Sequence, residues 1–106
     1  MPRYMVNGTY TRQGVEGLLK EGGTARQAAV EKAITGLGGS VEAFYYTFGD
    51  SDIVVIAEAP NNVMAAALSL IVGASGAVNI KTTVLLTPAE IDEAAKIKMD
   101  YRPPGA

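Results

Sequence analysis

From Arg3 to Tyr10 the chain alternates, with Tyr4, Val6, Gly8 and Tyr10 on one face and Met5, Asn7 and Thr9 on the other, which is the two-residue period of a β-strand. Thr11 to Gly23 reads as a short irregular or helical piece: Thr11 can cap a turn carrying Val15, Leu18 and Leu19, and Gly22–Gly23 ends it. Thr24 is the expected N-cap of a clearer helix, in which Val30, Ala33, Ile34 and Leu37 recur at spacings of three and four until Gly38–Gly39 supply the stop. Ser40 to Phe48 and Asp52 to Glu58 are rich in β-branched and aromatic residues, and Gly49-Asp50-Ser51 between them suits a tight turn, so the two segments predict an antiparallel hairpin. In the second of these strands both faces are apolar, Ile53 and Val55 on one and Val54 and Ile56 on the other, so neither is suited to open water. Pro60 followed by Asn61 and Asn62 starts a helix to about Ala74, with Val63, Ala67, Leu70, Ile71 and Ala74 along the expected inward stripe. Ser75-Gly76 then turns the chain into a strand from Ala77 to Thr87. Pro88 with Glu90 opens a last short helix through about Lys98.

Strand, helix, strand, strand, helix, strand is the split βαβ, or ferredoxin-like, order, an α+β fold with a four-stranded antiparallel sheet and the main helices on one face. One domain over residues 1–98 is expected, followed by an extended tail over 99–106 that contains Pro103 and Pro104. Two helices cover only one face, yet the hairpin strands are apolar on both. The uncovered face therefore calls for another subunit or a ligand, and a homo-oligomer is expected.

Composition narrows the chemistry. Apolar residues make up 48% of the 106 and charged residues 19%, the balance of a folded globular chain. Nine Lys and Arg against eleven Asp and Glu leave a net charge of -2, which offers no footprint for nucleic acid or for an anionic membrane. The apolar run Val63–Ala74 is shorter than the roughly 20 residues that cross a bilayer. No leader-like segment opens the chain and there is no cysteine, so cytoplasmic residence is the expectation. With no His and no Cys, an imidazole base, a thiolate nucleophile and a Cys/His zinc site are all impossible; no metal and no cofactor are expected.

Phe44-Tyr45-Tyr46-Thr47-Phe48-Gly49-Asp50-Ser51-Asp52-Ile53-Val54-Val55-Ile56, preceded by Leu37-Gly38-Gly39-Ser40 and followed by Ala59-Pro60, Ala74-Ser75-Gly76 and Thr82-Thr83, resembles the GYD domain family from about Arg3 to Glu90. The resemblance implies a ferredoxin-like domain of the dimeric α+β barrel type, in which two sheets pack face to face and a pocket lies between each sheet and its helices. It implies no particular reaction. Two positions depart from the family pattern: Ser51 stands where an aromatic usually precedes the aspartate, and Asn61 where an acidic residue often follows the proline.

Arg26 lies one turn before Val30 on the inward stripe of its helix. A guanidinium there either holds the carboxylate or enolate of a small molecule in the pocket or pairs with a local carboxylate at the helix end. Tyr45 and Tyr46 point to opposite faces of one strand, so at most one of them meets the pocket, and Tyr10 shares its face with Tyr4. Phenols at a pocket wall either hydrogen-bond a ligand oxygen or simply pack. Asp50 and Asp52 are turn acids, whose usual task is to accept from backbone amides; Asp52 and Glu58 stand about 20 Å apart on an extended strand, too far for joint acid–base work. Lys81 is read as an edge charge. These residues support a homo-oligomeric domain that binds a small apolar or weakly acidic molecule or serves a structural or regulatory role. The alternative is a cofactor-free enzyme in which Arg26 and a tyrosine orient the substrate.

Overall fold

The computed structural model describes residues 1–106 and contains eight elements: β1 (Arg3–Tyr10), α1 (Arg12–Glu21), α2 (Gly23–Gly36), β2 (Ser40–Tyr46), β3 (Ile53–Glu58), α3 (Asn62–Ala74), β4 (Val78–Leu85) and α4 (Pro88–Ala95). The strands form one antiparallel sheet in the order β2-β3-β1-β4, the ferredoxin-like arrangement the element order predicts. A bulge between Val41 and Ala43 shifts the register of β2 against β3.

Local chemistry explains most element ends. Thr11 caps α1 by accepting from the Gly14 amide, so the segment expected to be irregular or helical is a ten-residue helix. α2 starts at Gly23 and not after Thr24: Gly22, at φ 83°, makes the sharp turn between the two helices and serves as a cap without a side chain. At its other end Gly39 donates to the Ile34 carbonyl and Gly38 to that of Thr35, the paired bonds of a Schellman stop, with Gly38 at φ 85°. Asn61 caps α3 through the Met64 amide, and Thr87 with Glu90 forms a full capping box at α4, which holds the Glu90 carboxyl below its ordinary range.

The core is small. It is built on Ile34 of α2 and Ile53, Val55 and Ala57 of β3, with Val6, Val30, Val41, Phe44 and Leu68 half-buried around it. Only eight of 106 residues are buried, so most of the apolar side chains keep one side open. The inward stripe of α3 differs in part from the sequence expectation: Ala65 is buried and Leu68 and Val72 line the space over the sheet, whereas Val63 and Leu70 are largely exposed; Ile71 is largely exposed too but borders that space. The helix carries no charge at all, so its composition does not say which face turns in; the contacts with β4, including Ser69 Oγ to Thr82 Oγ1 at 2.8 Å, decide it.

The far face of the sheet has no cover. Two cross-strand rows, Tyr45–Val54–Asn7–Lys81 and Ala43–Ile56–Met5–Thr83, run over it, and Arg3 closes one end by bridging Glu42 at 2.8 Å and Glu58 at 3.3 Å. No helix is long and apolar enough to cross a membrane.

Candidate functional site

α2 packs on β2 and α3 on β4, and the two helices do not pack substantially on one another. Between them and the sheet lies a cavity of about 350 Å³. Its floor is Val6, Tyr10, Ile53, Val55, Val78 and Ile80, and its walls are Ala29, Val30 and Ala33 of α2 with Leu68, Ile71 and Val72 of α3. The cause is legible in side-chain size: α2 presents two alanines where a filled layer would need leucines, and close packing is lost wherever volume is missing.

Arg26 is the cationic residue of the lining. Its guanidinium meets Glu21 Oε1 at 3.3 Å, the local carboxylate pairing of the second sequence reading, and it also lines the cavity. That pair is about two-fifths exposed on each side, which makes it weak and exchangeable. Beside it stand two phenols. The Tyr46 hydroxyl donates to the Gly23 carbonyl at 3.0 Å, and its ring lies against Gly23 so closely that a Cβ there would come within 3.0 Å of Cε2. Phe44 meets the Tyr46 ring edge-on with centroids 5.5 Å apart. Tyr10 and Tyr46 stand close enough to affect each other's titration: Tyr46 helps to hold the Tyr10 proton, and Tyr10 eases loss of the Tyr46 one. Burial, first, and then Tyr46 push the Tyr10 phenol above its ordinary value. Burial likewise raises Tyr46, and Arg26 works against both shifts. At neutral pH both phenols are therefore hydrogen-bond donors and not bases.

The turn residues act one step back. Asp52 Oδ2 accepts from the Tyr10 amide at 2.8 Å, beyond Gly8–Ile53, the last pair between β1 and β3, so Asp52 fixes the end of β1 and with it Tyr10. The Asp50 carbonyl receives Thr9 Oγ1 at 3.4 Å, while Gly49 stands in open space. Neither touches the cavity. Tyr45 is a correction: it is two-thirds exposed on the uncovered sheet face, opposite the cavity, because the strand period that carries Tyr46 inward turns Tyr45 out. Two contributors escaped the sequence reading, Glu21 and the Gly23 carbonyl. The sequence signal for Glu21 is its place five residues before Arg26, at the end of a segment that reads as irregular or helical.

No cluster of three or more carboxylates that could hold a metal ion is present. Searches of curated proteins and of solved structures return no significant match. The GYD domain family, however, matches residues 4–95, and the chain belongs to that family.

Proposed function

We propose that this chain binds a small, largely apolar molecule with one weakly acidic or anionic end, as a homo-oligomer. The observation that carries the reading is the cavity: about 350 Å³, almost wholly apolar, with Arg26 and Tyr10 at one end. An apolar body would replace missing side-chain volume, and the acidic end would take Arg26 from its exposed Glu21 partner while accepting from the Tyr10 hydroxyl. Catalysis is the weaker alternative, since both phenols at the rim hold their protons and the chain has no His or Cys to act as base or nucleophile. The oligomer is supported by the open sheet face, where Met5, Val54, Ile56 and Tyr45 lie uncovered in a domain with few buried residues.

The test is calorimetric titration of the chain with a medium-chain fatty acid and, in parallel, with the alcohol of the same length. The acid binds the wild-type chain at least tenfold more tightly than the alcohol, and Arg26→Ala removes that preference while leaving alcohol binding in place. Equal affinity for both ligands in wild type and variant, or none for either, overturns the reading.

A further inference from the structure

Beyond Leu85 the chain leaves the body. Every residue from Leu86 to Ala106 is exposed, and α4 has no substantial contact with any other element. The radius of gyration is 17.0 Å with a long axis of 56 Å, against about 13 Å for a compact chain of this length. Yet α4 is a formed helix, with a capping box and Pro88 in its first turn. Eight residues make too short a helix to persist in water on propensity and caps alone, since isolated helices below about 12 residues are marginal. Its formation therefore calls for tertiary packing that its own body does not supply. The material for packing is there: Leu86, Ile91, Ile97, Met99 and Tyr101 all lie more than half exposed along the arm.

We propose that this arm wraps the β4 edge of a second copy of the chain, with α4 seated beside the partner's Lys81. Charge complementarity points to a second copy as the occupant. Lys81 stands on the uncovered face of edge strand β4 with no ion pair, while Asp92 and Glu93 of α4 are also unpaired, and Glu90 is engaged in its own cap. Only Leu86 and Thr87 separate β4 from α4, so an arm that leaves one copy at its own β4 edge starts next to the face through which two copies would meet. A two-fold contact then supplies both halves at once, each arm to the other's edge. The arm rests on the reading that the open faces of two copies meet, and it extends that contact past the sheet.

Freedom from cysteine makes the experiment direct. Copies carrying Lys81→Cys are mixed with copies carrying Asp92→Cys and treated with a short bismaleimide, and dimerisation of the full-length Ile91→Glu/Ile97→Glu variant is followed by sedimentation. Both substituted isoleucines are exposed in the monomer, so the body has no reason to unfold. A covalent heterodimer in the mixture, with a dimer dissociation constant raised at least tenfold in the glutamate variant, is the expected result. A wild-type dimer with no heterodimer product and an unchanged constant in the variant overturns the arm and leaves the sheet contact standing. A Lys81→Cys/Asp92→Cys chain that cross-links within one copy overturns it too, by folding the arm back on its own sheet. A wild-type chain that stays monomeric throughout sinks sheet contact and arm together.

Discussion

One sheet and two helices enclose both a filled space and an empty one. At the Tyr4 end the layer between α2, α3 and the sheet retains a void of only about 20 Å³, bounded by Tyr4, Ile34, Leu37, Met64 and Ala65; at the Tyr10 end the same layer opens to about 350 Å³. Both ends place a tyrosine of β1 against the helices. Tyr4 is 3% exposed and bonds the Asn62 side chain, so its ring is part of the packing and its hydroxyl is satisfied inside the fold. Tyr10 lies near Tyr46 and the Arg26 guanidinium, and it lines the cavity together with Ala29 and Ala33 of α2. The difference teaches that the topology does not fix which part of a ferredoxin-like layer is core. Side-chain volume and the splay of the helices do.

The comparison breaks most visibly at the closed end. Ile34→Ala removes the centre of the core cluster, and a loss of about 2–5 kcal/mol is expected in denaturant unfolding. Ile34 borders both spaces, so a loss below about 1 kcal/mol would mean that the core cluster between them is itself loose. Overpacking tests the same contrast from the opposite side. Ala65→Leu, at a buried position, should cost about 1–3 kcal/mol, whereas Val30→Phe, which grows into the cavity, should cost less than about 1 kcal/mol and abolish ligand binding. Equal costs would show that the open end is filled in solution by rearrangement of α2. A smaller effect separates the two phenols: Tyr4→Phe loses a part-buried hydrogen bond and about 1 kcal/mol, and Tyr46→Phe, whose bond to Gly23 is exposed, loses less.

The contrast between the two ends was only half legible in the sequence. Strand alternation, the glycine stops and the Pro60–Asn61 start each rest on backbone geometry that residue type controls, so they recover the strand order and put Tyr45 and Tyr46 on opposite faces, though they do not say which of the two faces inward. Arg26 was placed on the inner face for the same reason, the helical spacing to Val30 and Ala33. The inward side of α3 was not recoverable. Its apolar residues surround the helix, so the stripe through Val63, Leu70 and Ile71 competes on equal terms with the one through Ala65, Leu68 and Val72, and only docking on β4 chooses. Nor does a one-dimensional pattern reveal empty volume, which depends on how far two helices stand apart.

Titration of the tyrosines carries the finest test of the rim. Burial, reinforced by Tyr46, raises the Tyr10 phenol above its ordinary value, and the nearby Arg26 partly offsets this. For a group whose pKa is higher in the folded state than in the unfolded one, the stabilisation is fully present below the unfolded value near 10 and is lost as pH rises through the folded value. Alkaline conditions above about pH 10 should therefore weaken the native chain progressively, and Tyr10→Phe should flatten that part of the profile. Phenolate absorbance reads the same groups without unfolding. Among the five tyrosines, those that titrate above the free value should include Tyr10 and Tyr46, and Arg26→Gln should move both further up, because the cation that favours their phenolates is gone. A shift downward, or none, would mean that Arg26 turns away from the phenols in solution and pairs with Glu21 alone. The acid-binding end of the cavity would then lose its cation, while the closed end, where the Tyr4 hydroxyl donates to the Asn62 side chain, would be untouched.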